Sequence, residues 1–274
     1  MRGVTRSFDV RPGVGLTANV VQRSALRFSN VVVDSPALIL LKHGTKSLQS
    51  GSRRWTLQGG DAIALAGGQS FDVSNKLSSA GLFEARWLVW DQTVVQRFED
   101  ALPAGRRPPS GAMVLKHASG EFLAATERAI SAVCCPSEVP EPIALHRLTE
   151  VLMWLSLAGV NLSVPRTVNT STKLRSLFAA APSEAWTISN VTARLAMSEA
   201  TLRRRLTAEG TSFVDLLADV RMSLAMTLLQ STDRAVARIA SDVGYESASR
   251  FAIRFRERFG FAPTAIRGHR RSGS

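Results

Sequence analysis

Several residue types are scarce in this sequence, and each shortage narrows what the chain can do. Its two cysteines are adjacent, Cys134 and Cys135, so no disulfide framework is available and a reducing compartment is expected. The four histidines, His43, His117, His146 and His269, lie far apart. No His/Cys/Asp/Glu cluster has metal-ligand spacing, so no metal site and no cofactor are expected. No run of about 18 apolar residues occurs, and "MRGVTRSFDVRPGVG" at the start lacks the apolar core of a signal peptide. These absences predict a cytoplasmic protein that does not enter a membrane. Carboxylates are also short: 22 Asp+Glu against 34 Lys+Arg leave a net charge of +12. A positive field of that size favours polyanions, nucleic acid ahead of an anionic membrane.

The 274 residues suit two domains of ordinary size. From residue 16 to about 90, short apolar runs alternate with Gly-rich turns, as in "LTANVVQ", "ALILLKHG", "DAIALA" and "GLFEARWLVWD". This is the pattern of a β-sandwich or small barrel. From about 114 the period becomes helical. "GEFLAATERAISAV" and "PIALHRLTEVLMWLSLAG" carry it, the second with Leu145, Leu148, Leu152 and Leu155 at steps of three and four. "NLSVPRTVNTST" has no apolar period and is read as a linker at 161–172, between domains at 1–160 and 173–270. Residues 166–274 hold 17 of the cations and 9 carboxylates, a net of +8, and 16 of those cations are arginine. Arginine's planar fork suits phosphates and guanine edges.

Two stretches of the second domain share one grammar. In "TISNVTARLAMSEATLRRRLTAEGTSF" a short helix to about Arg194, a turn at "LAM", and Ser198 as N-cap of a second helix are helix-turn-helix punctuation. On the second helix Leu202 and Leu206 face inward, while Ala200, Arg203, Arg204 and Thr207 share the outer face. "VARIASDVGYESASRFAIRFRERFG" repeats the arrangement, with Ser247 opening its second helix and Phe251, Phe255 and Phe259 on one face. Ser249, Arg250, Ile253 and Glu257 fall opposite, and an isoleucine there suits a groove better than water. Between the units "FVDLLADVRMSLAMTLLQST" reads as one amphipathic helix with Leu216, Val220, Leu224 and Leu228 inward.

Residues 173–267 resemble the AraC/XylS transcriptional regulators. The second unit carries "IA", "GYES", Phe251, Phe255, "FG", Pro263 and Arg267 where that family's signature has them. The first carries Leu195, "MS" at 197–198, "TL" at 201–202, Arg204, "EGTSF" at 209–213, Arg221 and Ala225. Thr192, Ala196 and Ile266 depart from the family's usual alanine, glycine and aromatic, and Ile253 stands where many members have arginine. The resemblance implies two helix-turn-helix units joined by a linker helix, each placing its second helix in the major groove of double-stranded DNA. Ala200, Arg203 and Arg204, then Ser249 and Ile253, are expected to meet bases, Ile253 offering an apolar contact instead of a guanine fork. Arg250, Arg254, Arg256 and Arg258 are expected on phosphates, with Ser198, Thr207 and Ser247 beside them.

The resemblance further implies a jelly-roll, cupin-like regulatory domain at the amino terminus, with trailing helices used for dimerisation. The expected function is a transcription regulator, an activator touching RNA polymerase, controlled by a small effector or a regulatory protein. Lys42, His43, Arg53 and Arg54, basic groups near predicted strand ends, are candidates for an anionic effector, although a solvated strand end also explains them, and Trp55 is a candidate to line its pocket, although an ordinary β core also explains it. The helix from Ile143 to Ala158 fits either a homodimer contact or intradomain packing. A different function fits the β-domain too: a metal-independent cupin-like enzyme or ligand-binding module with loose nucleic-acid affinity. The dispersed histidines weigh against the enzyme.

Overall fold

The computed structural model describes residues 5–102, 111–162 and 169–267. They form two compact units, the first built mainly from residues 1–164 and the second mainly from 165–265. The first unit carries ten strands: β1 (Ser7–Arg11), β2 (Gly15–Gln22), β3 (Leu26–Val33), β4 (Ala37–His43), β5 (Thr45–Ser50), β6 (Arg53–Gln58), β7 (Ala62–Leu65), β8 (Gln69–Lys76), β9 (Phe83–Trp90) and β10 (Ala112–Leu115). They make a six-stranded sheet, β1-β2-β9-β4-β7-β10, and a four-stranded sheet, β3-β8-β5-β6. Every pairing is antiparallel. Three helices trail them: α1 (Gln92–Ala101), α2 (Gly120–Cys134) and α3 (Glu141–Leu157).

The sequence explains this layering. β4 and β7 read "ALILL" and "AIAL", unbroken by polar residues, and those residues are buried. Such runs belong to strands covered on both faces. One face of the larger sheet, through Leu38, Leu40, Ala62, Ala64, Leu88 and Trp90, shares a core with α1, α2 and α3. Trp90 Nε1 donates to the Leu148 carbonyl at 3.2 Å and so pins α3 to the sheet. The smaller sheet alternates instead: β8 buries Phe71, Val73 and Asn75 and exposes Ser70, Asp72 and Lys76, the period of a strand with one wet face. Between β4 and β5 the chain changes sheet within a single residue. Gly44 does this at φ +92, and a Cβ there would stand 2.4 Å from the Lys76 carbonyl oxygen. Only glycine fits.

Three elements of this unit escaped the sequence reading. β1 and β10 lie outside the alternating stretch, and β10, four residues long, is too short to show a period. α1 turns only Val94, Val95 and Phe98 to the core, a helical period too short to stand out in the sequence.

The second unit contains α4 (Thr170–Ala180), α5 (Ile188–Leu195), α6 (Glu199–Ala208), α7 (Phe213–Ser231), α8 (Val236–Asp242), α9 (Ala248–Phe259) and a 3-10 turn at Pro263–Arg267. Helix α4 opens inside the segment read as linker, because its first turn, "TSTK", is polar and shows no period. It contributes Leu174 and Phe178 to a core with Trp186, Val191, Leu202, Leu206, Leu216 and Val220. Leu224, expected inward, is half-buried; Met222, Ala225 and Met226 take the buried positions around it.

Glu209, in the turn after α6, accepts from the backbone N–H groups of Thr170 at 2.9 Å and Ser171 at 2.7 Å. A carboxylate thus caps α4 from a distant part of the chain. Burial pushes this carboxyl up, but the hydrogen bonds from Ser171 and Thr170 outweigh it and hold the group below its ordinary value. Its contribution is therefore complete above that value and lost as pH falls through the depressed one. Glu209→Gln is expected to cost roughly 1–2 kcal/mol, read as a lower denaturant midpoint. The deficit should vanish in acid; a deficit that persists there would remove the charge from the explanation.

Candidate nucleic-acid interface

Each of the two helical pairs is set by its caps. Thr187 accepts from the Asn190 N–H at the start of α5, and Ser198 from the Thr201 N–H at the start of α6. Between these helices Ala196 is left-handed, φ 49 and ψ 48. An alanine bears strain there of about 1 kcal/mol that a glycine would avoid. The second pair repeats the device. Ser247 accepts from the Arg250 N–H to open α9, and Gly260 closes it at φ 82. The turn before α9 carries Gly244 at φ +83.

The caps fix which faces look outward. On α6, Leu202 and Leu206 are buried, whereas Ala200, Arg203, Arg204 and Thr207 are exposed together. Arg203 keeps a loose pair with Glu199 at 3.8 Å. On α9, Phe251 and Phe255 are fully buried in a chain of ring contacts running from Tyr245 to Phe261. Ser249, Arg250, Ile253, Arg254 and Arg256 are exposed, Ile253 at 59%. Arg254 pairs with Glu257 at 3.3 Å. Ser198 and Ser247 sit at the helix starts, where N–H groups favour anions. Arg258 differs from its neighbours: its Nε donates to Asp219 Oδ1 at 2.9 Å, and the guanidinium lies over the Phe259 ring. A cleft of about 720 Å³ separates the two pairs, lined by Trp186, Thr187, Arg221, Tyr245, Arg250 and Ile253 among others.

The effector candidates are not gathered. Lys42 and His43 stand at the end of β4, 3.7 Å from Glu127 and 3.9 Å from Glu84 respectively. Arg53 opens β6 opposite Ser50, at the far end of β5 from His43, and Trp55 packs edge-on to Phe71. The reading missed Lys46, buried between the sheets at 3% exposure. Its Nζ donates to Asn75 Oδ1 at 3.2 Å and lies over the Phe83 and Trp87 rings. Asn75 in turn donates to Gln22 Oε1. The buried Gln22 Nε2 and Trp87 Nε1 have no acceptor. Burial lowers the Lys46 pKa to about 7. The alternation of β5, which puts Lys46 on the same face as Leu48, was the available signal. Among the described residues no group of His, Cys, Asp and Glu is arranged to hold a metal ion, and no helix is long and apolar enough to cross a membrane.

Residues 191–269 match the family model of a helix-turn-helix domain. Together with the paired, capped helices, this match makes the carboxy-terminal part of the chain a helix-turn-helix domain, in line with its resemblance to the AraC/XylS regulators. The sequence is 37% identical over 79 residues to the HTH-type transcriptional regulator GadX of Escherichia coli O6:H1, a stretch covering 29% of each chain. It is 29% identical over 128 residues to the HTH-type transcriptional regulator YdeO of Escherichia coli K12, covering 44% of this chain and 50% of that one. The chain thus spans half or less of the length of these relatives. Over nearly its whole length it shares the fold of ToxT from Vibrio cholerae: TM-score 0.64, 14% identity, 94% of this chain and 97% of the other. The expected architecture, a β-rich domain with trailing helices followed by an all-α domain, is the one observed.

Proposed function

We propose that the chain is a sequence-specific DNA-binding transcription regulator that inserts α6 and α9 into successive turns of one major-groove face. The observation that carries this reading is the pair of capped helices, each burying an apolar stripe and exposing a polar, arginine-rich one. Ala200, Arg203 and Arg204 read bases in the first half-site, and Ser249 and Ile253 in the second. Arg250, Arg254 and Arg256, with Thr207 and the helix starts at Ser198 and Ser247, hold phosphates and set register. Arg258 is withdrawn from that role by its pair with Asp219. The chain activates transcription through RNA polymerase, and it pairs with a second copy through the exposed Ile143, Met153, Trp154 and Leu157 of α3.

The regulatory input is a small anion with an apolar body, received in the β-domain. Structures of ToxT include one with an unsaturated fatty acid bound. In this chain the Lys46, Gln22, Asn75 and Trp87 cluster, rich in donors and short of acceptors, suits a carboxylate better than the scattered Lys42, His43, Arg53 and Trp55. A metal-independent enzyme with loose nucleic-acid affinity is the competing reading, and the two part on sequence dependence. A loose binder weakens with salt on every DNA alike. A reader keeps a gap of roughly 4–10 kcal/mol between its site and other DNA.

Selection of binding sites by the full chain from a randomised duplex pool is expected to return a motif with two halves about one helical turn apart. Failure to enrich any motif would remove the reading. At the selected site Arg203→Ala or Arg204→Ala should cost about 1–3 kcal/mol and relax particular bases of one half. Ile253→Arg should change base preference in the other half only. Equal losses on all sequences would make these residues phosphate contacts.

An unsaturated fatty acid is expected to bind the wild-type chain and not Lys46→Met. The carboxylate favours the charged amine, so affinity should fall as pH rises above about 7. Binding that ignores both the substitution and the pH would place the anion elsewhere.

A further inference from the structure

Helix α7 joins the two helical pairs, and one of its side chains touches both the segment that leads into the first pair and the turn of the second. Arg221 Nε donates to the Pro182 carbonyl at 3.0 Å, and Nη2 donates to the Glu184 carbonyl at 2.9 Å. Both carbonyls belong to the connection between α4 and α5. That connection is itself tied down: Trp186 Nε1 donates to the Ala181 carbonyl at 2.8 Å, and Arg194 lies over the Trp186 ring while pairing with Glu184. The same Arg221 guanidinium lies 5.9 Å from the centre of the Tyr245 ring. It also presses on Gly244, where a Cβ would come within 2.6 Å of Nη2. Gly244 and Tyr245 form the turn that aims α9. Two residues away on α7, Asp219 makes a second tie, accepting from Arg258 of α9 at 2.9 Å and from Arg175 of α4 at 3.4 Å.

The chemistry of this contact is specific to arginine. A planar fork satisfies two carbonyls at once and keeps its face free for a ring, whereas an ammonium is a point donor that does neither. Burial lowers the pKa of Arg221 from its ordinary value, so the charge loses solvation to sit there. The contact crosses from one reading unit to the other, whereas capping and core packing act within each.

We propose that Arg221 is the positioning residue that fixes the separation and rotation of α6 relative to α9, and thereby dictates the half-site spacing the chain accepts. This inference rests on the two-reader function proposed above. On B-DNA one base pair inserted between half-sites moves the second by roughly 3.4 Å and turns it by about 35°. A joint locked through the α4–α5 connection and the α8–α9 turn cannot follow that screw motion. A joint held only by the helix α7 backbone and loose apolar contacts can.

The test uses the full chain and duplexes carrying the two selected halves, with the intervening spacer shortened or lengthened by one, two or three base pairs. Wild type, Arg221→Lys, Arg221→Ala and Tyr245→Leu are compared, with circular dichroism reporting folding. Wild type is expected to lose about tenfold in affinity per base pair of displacement, about 1.4 kcal/mol. Arg221→Lys and Tyr245→Leu should lose about threefold or less, while the bases preferred within each half stay the same. Should Arg221→Ala not fold, the lysine and leucine variants carry the comparison. Variants that weaken equally at every spacing, with the wild-type optimum retained, would make Arg221 a stabilising residue only and overturn the inference. Altered bases within a half would overturn it as well. A wild-type chain with no bipartite motif removes the two-reader function itself, and this inference with it.

Discussion

The helical unit depends on one constraint: α7 has to satisfy two partners at once. Its buried Leu216 and Val220 complete the core of the first pair, while Asp219 and Arg221, on the turns between, reach backbone and side chains of both. A helix of 19 residues is about 28 Å long, comparable with the roughly 34 Å that separates successive turns of B-DNA, and it is stiff enough to hold a separation. The exposed arginines of α6 and α9 gain their use from this frame. An arginine on a solvated helix contributes little specificity, but held at fixed distance from a second set it becomes part of a ruler.

Much of this was legible in the sequence, and the legible parts share a cause. Ser198, Ser247, Gly244 and the phenylalanine stripe of α9 act locally, so their spacing alone reports the structure. The unbroken "ALILL" of β4 and the bracketed "DAIALA" of β7 are equally local signals. What stayed hidden needed partners distant in the chain. Glu209 caps α4 across 38 or 39 residues, Arg221 reaches the α4 to α5 connection across 37 or 39, and Lys46 meets Asn75 across 29. Arg258 shows the converse: its position in an arginine-rich stretch suggested phosphate, and only the fold reveals Asp219 beside it.

The β-domain and the helical domain treat their cations in opposite ways. Lys46 is sealed between two sheets among aromatic rings, where its charge is conditional on pH. The arginines of α6 and α9 that face outward stand in water, with no such enclosure. A side chain that gains or loses a proton near neutrality suits the receiving end of a regulator, and one that never does suits the end that must hold a polyanion.

Ile253 gives the two readers different physical sensitivities. The exposed arginines of α6 and α9 alike answer chiefly to ionic strength, since their worth is electrostatic and screened. An isoleucine standing exposed on α9 is hydrated in the free protein, and any apolar contact made by shedding that water weakens on cooling. On the proposed reading salt tunes both halves of the site, and temperature has an added purchase on the second.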